Sequence, residues 1–459
     1  RAPTRPQSSR RTQASQGGLD RGTGAMVYDL DPARTLLLDL LGRALKEADP
    51  AAAVRASLKL DDDILEAVGE HIPLETDGNV FIIAFGKAAP AMAEAAEEIL
   101  GDRLAGGVVI APPGLSLTSD RLEFIVGGHP VPDQGSVQGA KAAIAAAEAA
   151  SEGDVVLVLV SGGGSALLAA PAGISLAEMR TLTQALLASG APISDLNAVR
   201  KHLSQVKGGR LAVACHPART VALLVSDVVG DDMSVIASGP TVPDPTTCAD
   251  AKVALMRADI NASSTVKDVL KVNESPKPGD PCFANVTTRL ILGNEGVLKA
   301  CCRLAQEMGV NSILLSGELE GESRDVGRAH AALAISVLDA GVPVERPALL
   351  VSGGETTVTV RGGGNGGPNQ EFVLACVRPL DTLPVVALAV DSDGHDGPTD
   401  AAGAVVDGTS LNRAQAVGLD PDSFLERNNA YAFFEQIGDL IRMGRTGTNV
   451  NDVRLLYIP

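Results

Sequence analysis

The feature that most constrains this chain is a six-residue apolar run, Val155–Val160 (VVLVLV), broken at once by Ser161-Gly162-Gly163-Gly164-Ser165. A strand with one wet face alternates apolar and polar residues. An uninterrupted run instead belongs to a central parallel strand covered by helices on both faces. The pattern recurs. FIIAF at 81–85 runs into Gly86-Lys87, and ALLV at 222–225 into Ser226-Asp227. ALLV at 348–351 runs into Ser352-Gly353-Gly354-Glu355-Thr356, and VVALAV at 385–390 into Asp391. Ala- and Glu-rich helical segments lie between the runs, at 88–100, 139–150, 296–308 and 322–340. Strands alternating with helices specify the α/β class.

A chain of 459 residues exceeds what one core supports, so two domains are expected. Pro-rich polar stretches at 237–248 and 272–282 place the junction between 272 and 273. This gives an N-terminal α/β domain over 31–272 and a C-terminal α/β domain over 273–459. The spacing predicts helices over 31–47, 176–188 and 196–214, a hairpin-like stretch at 362–367 and a last strand at 454–458. Residues 1–30 carry Arg1, Arg5, Arg10, Arg11 and Arg21 against few acids. They read as a disordered tail of a cytoplasmic protein, or as the remnant of a mitochondrial transit peptide.

Charge narrows the function classes. The balance is 38 basic against 56 acidic residues, a net charge of -18, which opposes general nucleic-acid or anionic-membrane binding. Aromatics are 2% and Trp is absent, so base-stacking platforms are not expected. No apolar run approaches the roughly 20 residues that cross a bilayer. The six Cys form no CxxC pair, which fits a reducing compartment and offers no zinc-finger spacing. There is no GxSxG elbow and no HExxH.

The turns that end the strands carry the candidate chemistry, because α/β sheets bind ligands beyond the carboxyl ends of their strands. The glycines of Ser161–Ser165 let backbone amides approach an anion, although a turn with no ligand has the same composition. Gly353, Gly354 and Glu355 echo it on the second half. Lys87, at a strand end, can face a phosphoryl group or simply be solvated. Arg200, Lys201, Lys207 and Arg210 concentrate positive charge in an acidic chain, as an anion-facing side or simply as a solvated helix face. Asp227, Asp393 and Asp396 sit in polar turns where carboxylates suit Mg²⁺, which binds a few acids plus substrate phosphates. The run at 391–398 lacks the closing acid of a Ca²⁺ loop, since Ala402 stands there. His129, in Gly127-Gly-His-Pro-Val-Pro-Asp133, reads first as an anchor of a Pro-rich turn and second as a base.

In their order these turns resemble the glycerate 2-kinase family, two-domain kinases whose C-terminal part is called MOFRL. The motifs are FGKAA at 85–89, GGHPVPD at 127–133, SGGGSALL at 161–168 and LNAVRKHLSQVKGGRLA at 196–212. They continue through SDVVGDDMSVIASGPTVPDPTT at 226–247, SGGET at 352–356, NQE at 369–371, DGHDGPTDAAGAVVD at 393–407 and TGTNVNDVRLLYI at 446–458. The resemblance implies a Rossmann-like three-layer N-terminal domain, a smaller α/β C-terminal domain and an active site in the cleft between them. It implies transfer of the ATP γ-phosphoryl group to D-glycerate with Mg²⁺. On that reading Lys87 and Arg200 stabilise the transferring group. The Ser161–Ser165 turn, Asn197, Lys201, Lys207, Gly353, Gly354, Glu355, Asn369 and Gln370 bind phosphate or substrate. Asp227, Asp393 and Asp396 hold the metal. The oligomeric state, monomer or homodimer, stays open.

One position departs from the pattern. Pro368 precedes NQE where the family commonly has an Arg of the cleft, and Arg361 is a candidate substitute. A relative with altered substrate or no turnover is therefore one alternative. A hydroxypyruvate reductase is another, but no dinucleotide fingerprint follows an early strand.

Overall fold

The computed structural model describes residues 30–459 and, ahead of them, the antiparallel pair β1 (Gly18–Leu19) and β2 (Met26–Val27). The rest of the Arg-rich 1–30 segment lies outside the described residues. A small antiparallel meander follows the first helices: β3 (Leu58–Asp61), β4 (Ile64–Ala67) and β5 (Glu70–Pro73).

The first large sheet is wholly parallel. Its strands are β6 (Val80–Phe85), β7 (Leu104–Ala111), β8 (Leu122–Val126), β9 (Val155–Val160), β10 (Arg219–Val225) and β11 (Val286–Leu292). They lie in the order β11-β10-β9-β6-β7-β8. All six residues of β9 are buried, as its continuous apolar run requires. From β6 the chain moves outward to β7 and β8, and from β9 it moves the other way to β10 and β11. The two central strands therefore diverge, and the crevice beyond their carboxyl ends is the topological switch point where ligands bind in open α/β sheets.

The second sheet is mixed. It contains β12 (Asn311–Leu319), β13 (Ala348–Gly354), β14 (Val386–Asp391), β15 (Gly403–Asp407), β16 (Leu440–Ile441) and β17 (Asp452–Ile458). The order is β12-β13-β17-β14-β15-β16. β17 runs antiparallel between β13 and β14, with Asp452 opposite both Gly354 and Asp391. Its first residue thus meets the last residues of its neighbours at one edge.

The architecture is two α/β domains, but their boundary differs from the expected 272/273. β11 pairs in parallel with β10 and completes the first sheet, so the change of sheet comes at Gly293. The Pro-rich stretch at 272–282 marks a surface loop before the edge strand. The helix Asp31–Glu47 buries Leu37, Leu40, Leu41 and Ala44 and packs against the helix Asn294–Glu307 of the second domain. Segment 196–214 is two helices, Ile193–His202 and Arg210–Cys215, rather than one. The first ends at His202, and Gly208 and Gly209, at φ of 58° and 82°, sit directly before the second in a left-handed conformation that a continuous helix does not allow. Segment 362–367 forms no hairpin. Asn428 and Asn429 side chains hold its amides instead.

Candidate active site

The turns after β6 and β9 interlock. The Lys87 amide donates to Gly162 O at 2.8 Å, and the Ala88 amide donates to Ser161 Oγ at 3.0 Å. Ser161 is thereby spent on its neighbour turn. Gly163 has φ of 83°, and a Cβ there would lie 2.8 Å from the His129 ring. A Cβ on Gly162 would lie 2.5 Å from Asp227 Oδ2, and one on Gly164 2.9 Å from the Ala237 Cβ. All three glycines are thus needed for close approach, and the close approach brings His129, Lys87 and Asp227 around one turn. Burial, then the Lys87 ammonium, push the His129 pKa down, so its imidazole is neutral at pH 7.

At the far end of the turn the groups are donors. Ser165 Oγ meets Ser238 Oγ at 2.9 Å, and Ser238 Oγ donates to Asn197 Oδ1 at 3.2 Å. Ala237 and Ser238 take positive φ, 50° and 63°, a conformation uncommon for non-glycine residues. Lys207 Nζ donates to Ser165 O at 2.8 Å and Leu168 O at 3.1 Å and meets no carboxylate among the described residues. Burial and the nearby Arg200 lower its pKa well below the lysine range. Arg200 is itself largely buried with no ion-pair partner among the described residues, and burial alone lowers its pKa. The buried Asn197 Nδ2 has no hydrogen-bond partner either. Three donors around one glycine turn therefore lack an anion.

The opposing wall, from the second sheet, is acidic. Lys87 Nζ reaches across the cleft to Asp393 Oδ2 at 2.9 Å, and Asn449 Nδ2 reaches Asp227 Oδ2 at 3.3 Å. Burial pushes Asp227 up, opposed by Lys87. Asp391 is pushed up to about 8 by burial and by Asp393, Asp452 and Asp396. Glu355 is raised by desolvation in the cleft, then by Asp452 and Asp227. Carboxylates that raise one another lack positive charge, which is the donor set a hard divalent cation supplies for. Asp227 and Asp393 are the pair that face each other from the two domains.

Several residues singled out in the sequence have other work. Asp396 is buried, and its oxygens accept from the Asn369 and Gln370 amides at 3.0 and 2.8 Å. It anchors the start of the helix Pro368–Cys376. Asn369 Nδ2 bridges Asp396 and Asp452, and Gln370 Nε2 donates to Thr399, so both stand behind the acids. Lys201 is buried against Asp244 at 3.2 Å. Gly353 and Gly354 are required by packing, since a Cβ would meet Asn294 at 2.1 Å and the Leu319 backbone at 2.3 Å. Pro368 is the first residue of its helix, where a missing amide proton costs nothing. Arg361 lies exposed on the loop. Sequence reading underrated His129, and it passed over Asp452, Ser238 and Asn449. Asn449 and Asp452 lie within the TGTNVND motif.

Fold and site together define a two-domain α/β enzyme with donors for anions on one wall and carboxylates on the other. Comparison with known proteins adds the family. Residues 36–271 match a domain of unknown function, DUF4147, and residues 348–452 match the MOFRL family. A glycerate 2-kinase of Pyrococcus horikoshii is 42% identical over 93% of this chain and 97% of its own length. A putative hydroxypyruvate reductase of Agrobacterium vitis is 40% identical over 96% of this chain and 98% of its own. The crystal structure of a glycerate kinase from Thermotoga maritima superposes with a TM-score of 0.85 at 38% identity, covering 94% of this chain and all of that one. The chain belongs to the glycerate kinase family with a C-terminal MOFRL domain.

Proposed function

We propose that this chain is an ATP-dependent glycerate 2-kinase, passing the ATP γ-phosphoryl group to D-glycerate. The observation that carries the reading is the unneutralised donor set of Arg200, Lys207 and Asn197 at one end of the Ser161–Ser165 turn, with Lys87 and the acidic wall at the other. Both substrates are anions, and the donor end suits a carboxylate or phosphate. Phosphoryl transfer is catalysed by positioning and charge neutralisation rather than by a protein nucleophile. Lys87, freed from Asp393 when a phosphoryl group arrives, neutralises the transferring charge. His129, held neutral beside Lys87, accepts the proton of the attacking hydroxyl. Asp227 and Asp393 would hold Mg²⁺. When bound, the ion neutralises phosphate oxygens and orients them in line.

The test is ATP turnover with D-glycerate and Mg²⁺, with the product identified by NMR. 2-Phosphoglycerate is expected. Lys87→Ala should lower kcat by roughly 10²–10³-fold, the range for losing one preorganised charge donor. A folded protein that binds ATP and releases no ADP with D-glycerate present overturns the proposal, and NAD(P)H oxidation with hydroxypyruvate would replace it with a reductase.

A further inference from the structure

Away from the cleft, His202, Cys248 and Glu274 come together although they are far apart in sequence. Their ligand atoms all lie within 4.8 Å of one another, the one such group of three among the described residues. His202 and Cys248 are buried, and Glu274 opens to solvent. His202 ends the helix Ile193–His202, Cys248 starts the helix Cys248–Arg257, and Glu274 follows the helix Ser264–Val272.

The hydrogen bonds fix how the imidazole is presented. His202 Nδ1 lies 2.8 Å from Ala198 O, an acceptor, so Nδ1 carries a proton. The other nitrogen, Nε2, faces Glu274 Oε1 at 3.3 Å and Ser275 Oγ at 3.1 Å. Ser275 gives its one proton to Asp244 Oδ2 at 2.8 Å. Nε2 and Oε1 thus face each other, and the cation now beside them is the Lys277 ammonium, 2.6 Å from Oε1. A backbone carbonyl on the far nitrogen is also the usual outer partner of a metal-binding histidine.

We propose that His202, Cys248 and Glu274 form a Zn²⁺ site that ties these three helical segments together. Imidazole nitrogen, thiolate and carboxylate are the donors zinc takes, and a hard ion such as Mg²⁺ disfavours the sulfur. Zinc–ligand bonds of about 2.0–2.3 Å put tetrahedral ligands roughly 3.3–3.8 Å apart, so the trio closes by about an ångström. On binding, the Cys248 thiol proton leaves to solvent. The Lys277 ammonium, now 2.6 Å from Glu274 Oε1, gives up that oxygen to the metal. The ammonium keeps two other acceptors there, Thr246 O and Ser275 Oγ, the latter at 2.7 Å. Solvent takes the fourth position. Because His202 closes the helix that carries Asn197 and Arg200, the ion braces that helix from behind without entering the cleft.

The test uses the full chain freed of metal by chelator and titrated with Co²⁺, a spectroscopic stand-in for Zn²⁺. The expected result is a saturable sulfur-to-cobalt charge-transfer band, abolished by Zn²⁺, with a melting temperature that rises on Zn²⁺ addition. Carboxylates of the cleft give no such band. Cys248→Ser should remove it and Cys282→Ser should keep it. Glu274→Gln, an exposed change that leaves the fold intact, should weaken Zn²⁺ binding by about 10-fold or more. Absence of the band, or its survival in Cys248→Ser, overturns the proposal.

Discussion

Gly163 shows how much one position can carry. Its left-handed backbone and the 2.8 Å approach of the His129 ring each exclude a side chain. Gly163→Ala should therefore displace His129 and Lys87 together. Turnover should fall by at least about 10-fold, since misplacement of about 1 Å can cost 10²-fold, while the urea midpoint moves far less. Steady-state kinetics beside an unfolding curve separates the two. The sequence showed that these glycines matter, because SGGGS follows a strand too apolar to be anywhere but the sheet centre. It did not show which neighbour each glycine accommodates. Nor could spacing separate Arg200, which has no counter-ion among the described residues, from Lys201, one residue on, which is buried against Asp244. Adjacent residues on a helix point about 100° apart, and only the packing decides which one meets a carboxylate.

At the scale of elements, strands were legible and their partners less so. β6, β9, β10, β13 and β14 announce themselves as apolar runs. β15, only five residues long, does not, nor do the short helices after it. β11 reads as the start of a new domain because a Pro-rich loop precedes it, yet it is the edge of the first sheet. The helix Gln134–Ala149 begins five residues before its Ala-rich stretch, because Asp133 and Ser136 form a capping box. Asp133 Oδ1 also accepts from the Gly128 amide at 2.8 Å, which fixes the loop bearing His129. Asp133→Ala should cost about 1 kcal/mol of stability in urea unfolding. It should lower kcat by more than that loss explains, and Asp133→Asn should recover part of both.

Across the whole molecule, an early helix is committed to a late sheet. The Arg34 guanidinium meets Asp407 and reaches Asp439 at 2.8 Å, and both carboxylates are nearly inaccessible. Arg413 shares Asp439 at 2.7 Å but does not reach Asp407. Arg34→Ala leaves Asp407 buried without its cation and should cost about 3 kcal/mol. Urea unfolding would read this as a lower midpoint, with Arg34→Lys in between. The candidate site has the same reach, since Lys87 and Asp393 lie 306 residues apart in sequence.

The placement of β17 bears on how the protein is made. It is the last of the described strands in chain order, yet it occupies the interior of the second sheet between β13 and β14. Until it emerges from the ribosome, β13 and β14 have no common neighbour, and each presents an open row of amides and carbonyls. The acid wall also lacks Asp452 until then. A nascent or truncated chain ending before Asp452 is thus exposed to pairing with other chains, so residues 452–458 have to be made before the second sheet can close.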